Sequence, residues 1–317
     1  MWNTNETTTG KIFSDVENTL ECLYIGDYGQ EHNIKADFLG YTRRIYNVPN
    51  LPVDLGDKLV VTVSTQKGCP MKCTFCDCPK VGFKGNVSVA EFGGQVTHCI
   101  RAAGVTKTNR FNLHFARMGE PTFNNALLEY TKDILPGQVN SLLGGTEVHP
   151  VVSTMMPAKN PNLESFLQEW CRIKNEDFKG EAGLQLSINS TCDKQRQEQF
   201  LDCSLTLEEI SEMVARLPKP VGRKYTLNFA VTKETVINPK MLSELFDKDN
   251  FLVKLTPIHL TEAAVVNEYD LKSDFDVYDQ FEEPLLAEGW QVIVFIPSKE
   301  EDADRITCGN ALIALGK

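Results

Sequence analysis

The stretch Lys67–Gly85, KGCPMKCTFCDCPKVGFKG, places Cys69, Cys73, Cys76 and Cys78 within ten residues. The amino terminus, MWNTNETTTGK, has neither the basic start nor the apolar run of a secretory signal, which points to a cytoplasmic setting where thiols stay reduced. A tight cysteine group in such a chain reads as a metal or redox site rather than a disulfide framework.

The cluster follows a strand pattern, LVVTVS (59–64), and further apolar runs succeed it at regular intervals. These are FNLHFA (111–116), VVST (151–154), GLQLSIN (183–189), YTLNFAV (225–231), FLVKLTP (251–257) and a seventh, WQVIVFI (290–296). Helical patterns lie between them, and Ser88 with Glu91 and Thr206 with Glu209 have capping-box spacing. Phe92, Val96 and Ile100 would share one helix face. Alternating strands and helices predict an α/β fold with a mainly parallel sheet, and six such units predict a barrel or partial barrel. In that architecture chemistry sits at the carboxyl ends of the strands, where the cysteine loop and MGEP (118–121) both fall. The pair in LLGG (142–145) lacks the context of a nucleotide-binding loop and reads as a turn.

With 317 residues, 42% hydrophobic and 24% charged, the chain is an ordinary globular composition, and no run of 18 apolar residues is present. A soluble protein without membrane association is expected. The net charge of −11 argues against a surface that wraps nucleic acid. Lys67, Lys72, Lys80 and Lys84 around Asp77 read either as a basic mouth or as solvated loop residues. Residues 1–58 are polar and irregular apart from LECLYIG and read as a short strand-containing amino-terminal extension; residues 59–317 form the core with its carboxyl-terminal segment.

Cys69, Cys73 and Cys76 form C-x3-C-x2-C, with Phe75 just before the last. Three thiolates on a short loop can ligate three corners of a [4Fe-4S] cluster and leave one iron open to a ligand, as an open position separates catalytic from structural zinc. The competing reading is a zinc knuckle that adds Cys78, which lies too close to Cys76 for easy tetrahedral closure. The spacing resembles the radical S-adenosylmethionine (SAM) superfamily. That resemblance implies a partial (β/α)6 barrel, SAM chelated by the open iron, and reductive cleavage of SAM to a 5′-deoxyadenosyl radical with electrons from a reductant such as flavodoxin or ferredoxin.

Further motifs, in order, resemble the RlmN/Cfr family of radical SAM RNA adenine methyltransferases: STQKGCPMKCTFC (64–76), VGFKGN (81–86), SVAEFGGQV (88–96) and MGEPTFN (118–124). The resemblance implies that Gly119, Glu120 and Pro121 line the SAM site, with the Glu120 carboxylate facing the SAM ammonium. VVST makes Ser153 and Thr154 SAM contacts, LSINS (186–190) directs Ser187 to the ribose, and Arg196 falls where the family has an Arg after that strand. DADRITCGNAL (302–312) resembles the family's segment bearing the methyl-carrier cysteine, here Cys308, on a carboxyl-terminal extension. In the family that sulfur is methylated by one SAM, loses a hydrogen to the radical from a second, and links to an amidine carbon of adenine. Singly, each residue also reads as a cap, a surface group or a packed thiol.

The sequence departs from the pattern at Thr62, where the family has the cysteine that resolves the thioether. Cys78 is the nearest spare thiol and is taken as its substitute. His259 stands where the family often has an Asn near SAM, and Asn310 replaces a Gln; both can still hydrogen-bond. The extension is too short and acidic to resemble the family's RNA-gripping domain fully, so RNA, a nucleotide or another small heterocycle remain open as acceptors. A second reading keeps cluster and SAM but has the radical abstract hydrogen from a small molecule or peptide without methylation; a third is a metal-binding interaction protein. Cys99 and Cys171 are expected to pack, Cys22, Cys192 and Cys203 show no ligand spacing, and His32, His98, His114 and His149 read as background.

Overall fold

The computed structural model describes residues 2–26, 34–39, 54–269, 276–297 and 299–316. Its strands are β1 (Trp2–Glu6), β2 (Gly10–Asp15), β3 (Glu21–Gly26), β4 (Ile34–Lys35), β5 (Lys58–Val63), β6 (Gln66–Lys67), β7 (Gly85–Asn86), β8 (Arg110–Phe115), β9 (Val148–Thr154), β10 (Gly183–Ser187), β11 (Tyr225–Val231), β12 (Phe251–Pro257) and β13 (Val292–Phe295). Its α-helices are α1 (Val89–Ala103), α2 (Ala126–Glu129), α3 (Leu135–Leu143), α4 (Leu163–Arg172), α5 (Asp193–Phe200), α6 (Leu207–Val214), α7 (Pro239–Leu245), α8 (Glu262–Val266), α9 (Asp276–Ala287) and α10 (Lys299–Ala303).

One sheet runs β1-β2-β3-β5-β8-β9-β10-β11-β12-β13-β4. The seven strands expected from sequence are its parallel centre, from β5 through β13. β1, β2 and β3 add an antiparallel edge, with β3 against β5, and β4 runs antiparallel to β13 at the other edge. β3 is the LECLYIG run; β1 and β2 escaped sequence reading because their residues are mostly polar. Part of the stretch 20–41, including His32, lies outside the described residues.

Parallel strands buried on both faces read as continuous apolar runs, but these alternate. Phe111, Leu113 and Phe115 of β8 are buried while Asn112 and His114 keep some exposure, and β11 repeats the pattern with Tyr225, Leu227, Phe229 and Val231. The apolar set packs into one large core with the helices. α1 supplies Phe92, Val96, Cys99 and Ile100, all buried, each of the three larger side chains contributing about 1.5–3 kcal/mol. Both capping boxes form, at Ser88–Glu91 and Thr206–Glu209. Gly144 ends α3 at φ 60°, so LLGG is a turn. The other face of the sheet carries Thr62, His114, Ser153, Ser187, Asn228 and Lys254, all half-buried; Ser153, Ser187 and Asn228 line a hollow there, and the other three share its face.

The quoted motifs interlock around the first strand. Gln95 of α1 accepts from the Ser64 amide at 2.9 Å and donates to its carbonyl at 3.1 Å. Asn124 donates to the Thr65 and Val87 carbonyls at 2.7 and 2.8 Å, and Asn86 donates to the Phe123 carbonyl at 2.8 Å. Gly68 starts the cysteine loop at φ +72°, and a Cβ there would stand 1.6 Å from the Gly82 carbonyl oxygen.

Two buried carboxylates bring the carboxyl-terminal segment onto this frame. Glu21 takes the Arg117 guanidinium on Oε2 at 2.7 and 2.9 Å, and its Oε1 accepts from the Ile313 amide at 2.6 Å. Arg117 also donates to the Arg305 carbonyl at 3.1 Å. Asp77, in the cysteine loop, accepts from the Glu262 and Ala263 amides that open α8, and from Lys80 at 2.7 Å. The Asp77 amide donates to the Gly309 carbonyl at 2.8 Å.

Because the Glu21–Arg117 pair is fully buried, Glu21→Gln leaves a desolvated guanidinium and is expected to destabilise the protein by about 3–5 kcal/mol. Urea unfolding checks this, and a loss below about 1 kcal/mol would show that the pair is not the clamp described. Gly68→Ala is expected to displace the cysteine loop, read as faster native-state alkylation of Cys69 and Cys73 with little change in Cys171; unchanged alkylation would contradict the close packing on Gly82.

Candidate active site

A cavity of about 180 Å3 opens at the carboxyl ends of β8 to β12 and the loop after β5. Strands stand about 4.8 Å apart, so walls drawn from that many neighbours require the sheet to curve around the cavity. Cys69, Cys73, Cys76 and Cys78 form one wall; Gly119, Glu120, Ser153, Ser187 and His259 line it with them, and Cys308 reaches it from the far end of the chain. Pro121 and Thr154 do not line it: Pro121 opens a buried turn, and Thr154, one position beyond Ser153 on an alternating strand, points back and bonds the Glu120 carboxylate. Arg196 lies buried behind β10, bonding the Ser187, Ile188 and Leu205 carbonyls and Ser204 Oγ, so it supports the wall rather than lining it.

Burial, reinforced by the neighbouring Cys76, pushes the Cys69 thiol up to about 12, and the same causes push Cys73 up as well. Cys76 moves the other way because the Cys78 S–H donates to it, and is the first of the group to ionise. Cys78 is held high by that bond and by burial, and its sulfur lies 3.3 Å from the Arg117 carbonyl. Burial likewise raises Glu120, against hydrogen bonds from Thr154, the Met155 amide at 3.1 Å and Thr122 at 2.8 Å. Cys308 is exposed by its surface area yet pushed up to about 11 by its recess. The two descriptions agree once its exposed surface is taken to face the cavity.

Among the described residues no three His, Cys, Asp or Glu side chains gather at single-ion geometry; the three thiols share a cavity wall instead. The donor chemistry fits a cationic iron–sulfur group, since metal charge offsets the burial and the neighbouring Cys76 charge that hold Cys69 and Cys73 protonated. Glu120 is a buried carboxylate with no ion pair among the described residues, which suits an ammonium group in the cavity. Asn189, at φ 61°, lines the same cavity with a buried Nδ2 that has no hydrogen-bond partner. Sequence reading missed it within LSINS, although asparagine is among the few non-glycine residues that favour a left-handed backbone.

Of the four loop lysines, Lys67 is paired with Glu91 at 2.6 Å and Lys80 with Asp77 and Glu262. The basic mouth is therefore half neutralised. His259 Nδ1 lies 3.1 Å from Asp302, which also accepts from Thr307 at 2.8 Å, so this histidine joins the cavity to the Cys308 segment. Asn310 is buried inside that segment, bonded to Thr307 at 3.0 Å. Cys99 and Cys171 pack in the core as expected. No helix among the described residues is long and apolar enough to cross a membrane.

No protein-family model matches the chain. A probable dual-specificity RNA methyltransferase RlmN of Aquifex aeolicus is 28% identical over 209 residues, covering 64% of this chain and 56% of that protein. The similarly described protein of Heliobacterium modesticaldum is 27% identical over 211 residues, covering 64% and 49%. The chain thus spans about half the length of the curated relatives it matches. A solved radical SAM methyltransferase from Sphaerobacter thermophilus superposes with a TM-score of 0.65 at 19% identity, covering 98% of this chain and 80% of that one. The thiol loop and MGEP turn thus meet in one cavity of a chain that is a distant sequence homologue of the RlmN methyltransferases and shares its fold with a radical SAM methyltransferase.

Proposed function

We propose that the protein is a radical SAM methyltransferase that uses Cys308 as methyl carrier toward an adenine-like or other small heterocycle. The observation that supports it most is the convergence of Cys308 with Cys69, Cys73 and Cys76 on one cavity. In this reading the curved sheet is a partial (β/α)6 barrel over residues 59–317, and residues 1–58 are an extension whose strands brace its edge. Cys69, Cys73 and Cys76 hold a [4Fe-4S] cluster, which when bound supplies the electron for reductive cleavage of SAM, taken in turn from a flavodoxin- or ferredoxin-like donor.

The remaining roles belong to the chain itself. Glu120 faces the SAM ammonium, the adjoining Gly119 leaves the backbone open to it, and Ser153, Ser187 and Asn189 offer polar atoms to its carboxylate and ribose. His259 orients the Cys308 segment through Asp302. A thiol in this recess is a poor nucleophile until deprotonated, so Cys308 must lose its proton when it meets an electrophilic methyl group. Thr62, on β5 and facing the hollow in register with His114, cannot release a thioether. We assign that step to Cys78, on the cavity wall. Thr62 also favours a second reading, in which the radical acts directly on a small molecule or peptide and Cys308 is structural.

Anaerobically reconstituted protein given SAM and reductant is expected to yield 5′-deoxyadenosine and a Cys308 peptide one methyl group heavier. Cys308→Ala is expected to keep SAM cleavage and lose methyl transfer by at least about 1000-fold, the scale for removing a covalent catalyst. Cleavage with an unmodified Cys308 peptide would move the protein to the second reading. Full turnover in Cys78→Ala would remove that thiol from the release step.

A further inference from the structure

We propose that the hollow below Cys308 binds the phosphate group of a small nucleotide acceptor through Arg110, Arg223 and Lys254. This rests on the methyl-acceptor reading and names its substrate class. Lys254 sits in the middle of β12, in register with Asn228 of β11 and two positions before Thr256, both of which line the cavity. Its ammonium lies 5.1 Å from the Phe295 ring centroid, on the neighbouring strand. Arg110 opens β8 opposite Lys58 of β5, four positions before His114 on the same face. Arg223 precedes β11 and donates to the Glu181 carbonyl at 3.2 Å, while Arg110 donates to Asn112 at 3.0 Å.

None of the three cations has an ion-pair partner among the described residues. Glu181, whose charge reaches Arg223, is 3.3 Å from His149, and Glu147 also acts on that histidine. The surroundings register the uncompensated charge. Burial first, then the fields of Lys254, Lys58, Arg223 and Arg110, push His114 down to about 3, and burial with Arg223 pushes Lys254 down to about 8. A chain of net charge −11 has thus placed cations without an ion-pair partner among the described residues beside one hollow; Lys254 and Arg110 are half-buried there, and Arg223 keeps an exposed surface that an incoming anion can reach. Two guanidinium forks and an ammonium exceed what one carboxylate neutralises and match the oxygens and double charge of a phosphate monoester. Thr256, two positions beyond Lys254 on the same face of β12, lines the cavity together with Cys308, so an acceptor held by its phosphate would lie with its other end toward that sulfur.

The test is equilibrium binding to the anaerobically reconstituted full chain, with adenosine 5′-monophosphate, adenosine and inorganic phosphate as probes. The monophosphate is expected to bind at least about tenfold tighter than adenosine, to weaken with added salt, and to be displaced by inorganic phosphate. Arg223→Met and Lys254→Met are expected to shrink its advantage toward that of adenosine, with thermal melting by circular dichroism confirming the fold; should either variant not fold, the wild-type comparison and competition decide. Equal affinity for the two probes, an advantage unchanged in folded variants, or no binding of monophosphate or phosphate at millimolar concentration each overturns the proposal. The Cys308 peptide mass from the same preparation reports separately: a methylated Cys308 beside a hollow indifferent to phosphate sinks the anion site and leaves the methyltransferase reading standing.

Discussion

The arrangement depends on a buried ion pair. Glu21 belongs to an edge strand, Arg117 to the loop after β8, and the segment they jointly grip, through the Ile313 amide and the Arg305 carbonyl, carries Cys308. A salt bridge in this position is a weak source of net stability, because desolvating both ions offsets most of their attraction. Its consequence is geometric. Neither ion can be satisfied unless three distant pieces of chain are in place at once, so the pair selects the one folding in which the carboxyl-terminal thiol covers the cysteine loop. Asp77 repeats the device from inside the loop, with α8 and Gly309 as its partners.

The sheet adds a second constraint. Its parallel strands carry core residues on one side and polar ones on the other, so apolar burial against helices supplies the driving force while the opposite face stays free for chemistry. The cysteine loop and the MGEP turn both leave that face at the carboxyl ends of adjacent strands, β5 and β8, and their proximity follows from the β5–β8 register. Gln66 joins them directly by accepting from the Glu120 amide at 2.8 Å. The motifs that read as a series along the chain are, in space, one hydrogen-bonded block around the first parallel strand.

Much of this was legible beforehand for identifiable reasons. Strands such as YTLNFAV and FLVKLTP announce themselves by β-branched and aromatic content, and Ser88 and Thr206 by the carboxylate three residues on. What stayed hidden depends on partners remote in sequence. β1 and β2 hold polar residues stabilised by pairing, and the split between Ser153 and Thr154 is a matter of which face each takes. Arg196, read only as falling where the family has an Arg, is a brace, because most of its partners are backbone carbonyls that no side-chain pattern reports. His114 and Lys254 carried a faint signal, as titratable groups in the middle of apolar strands, and only the curvature of the sheet shows that they face a common hollow.

In the proposed function Cys69, Cys73 and Cys76 hold an iron–sulfur cluster with one corner open to SAM. Electron paramagnetic resonance of the anaerobically reconstituted, reduced protein measures this most directly. A [4Fe-4S] signal that changes shape when SAM is added and is lost in Cys73→Ala is expected. A signal indifferent to SAM, or one that survives the substitution, would contradict it.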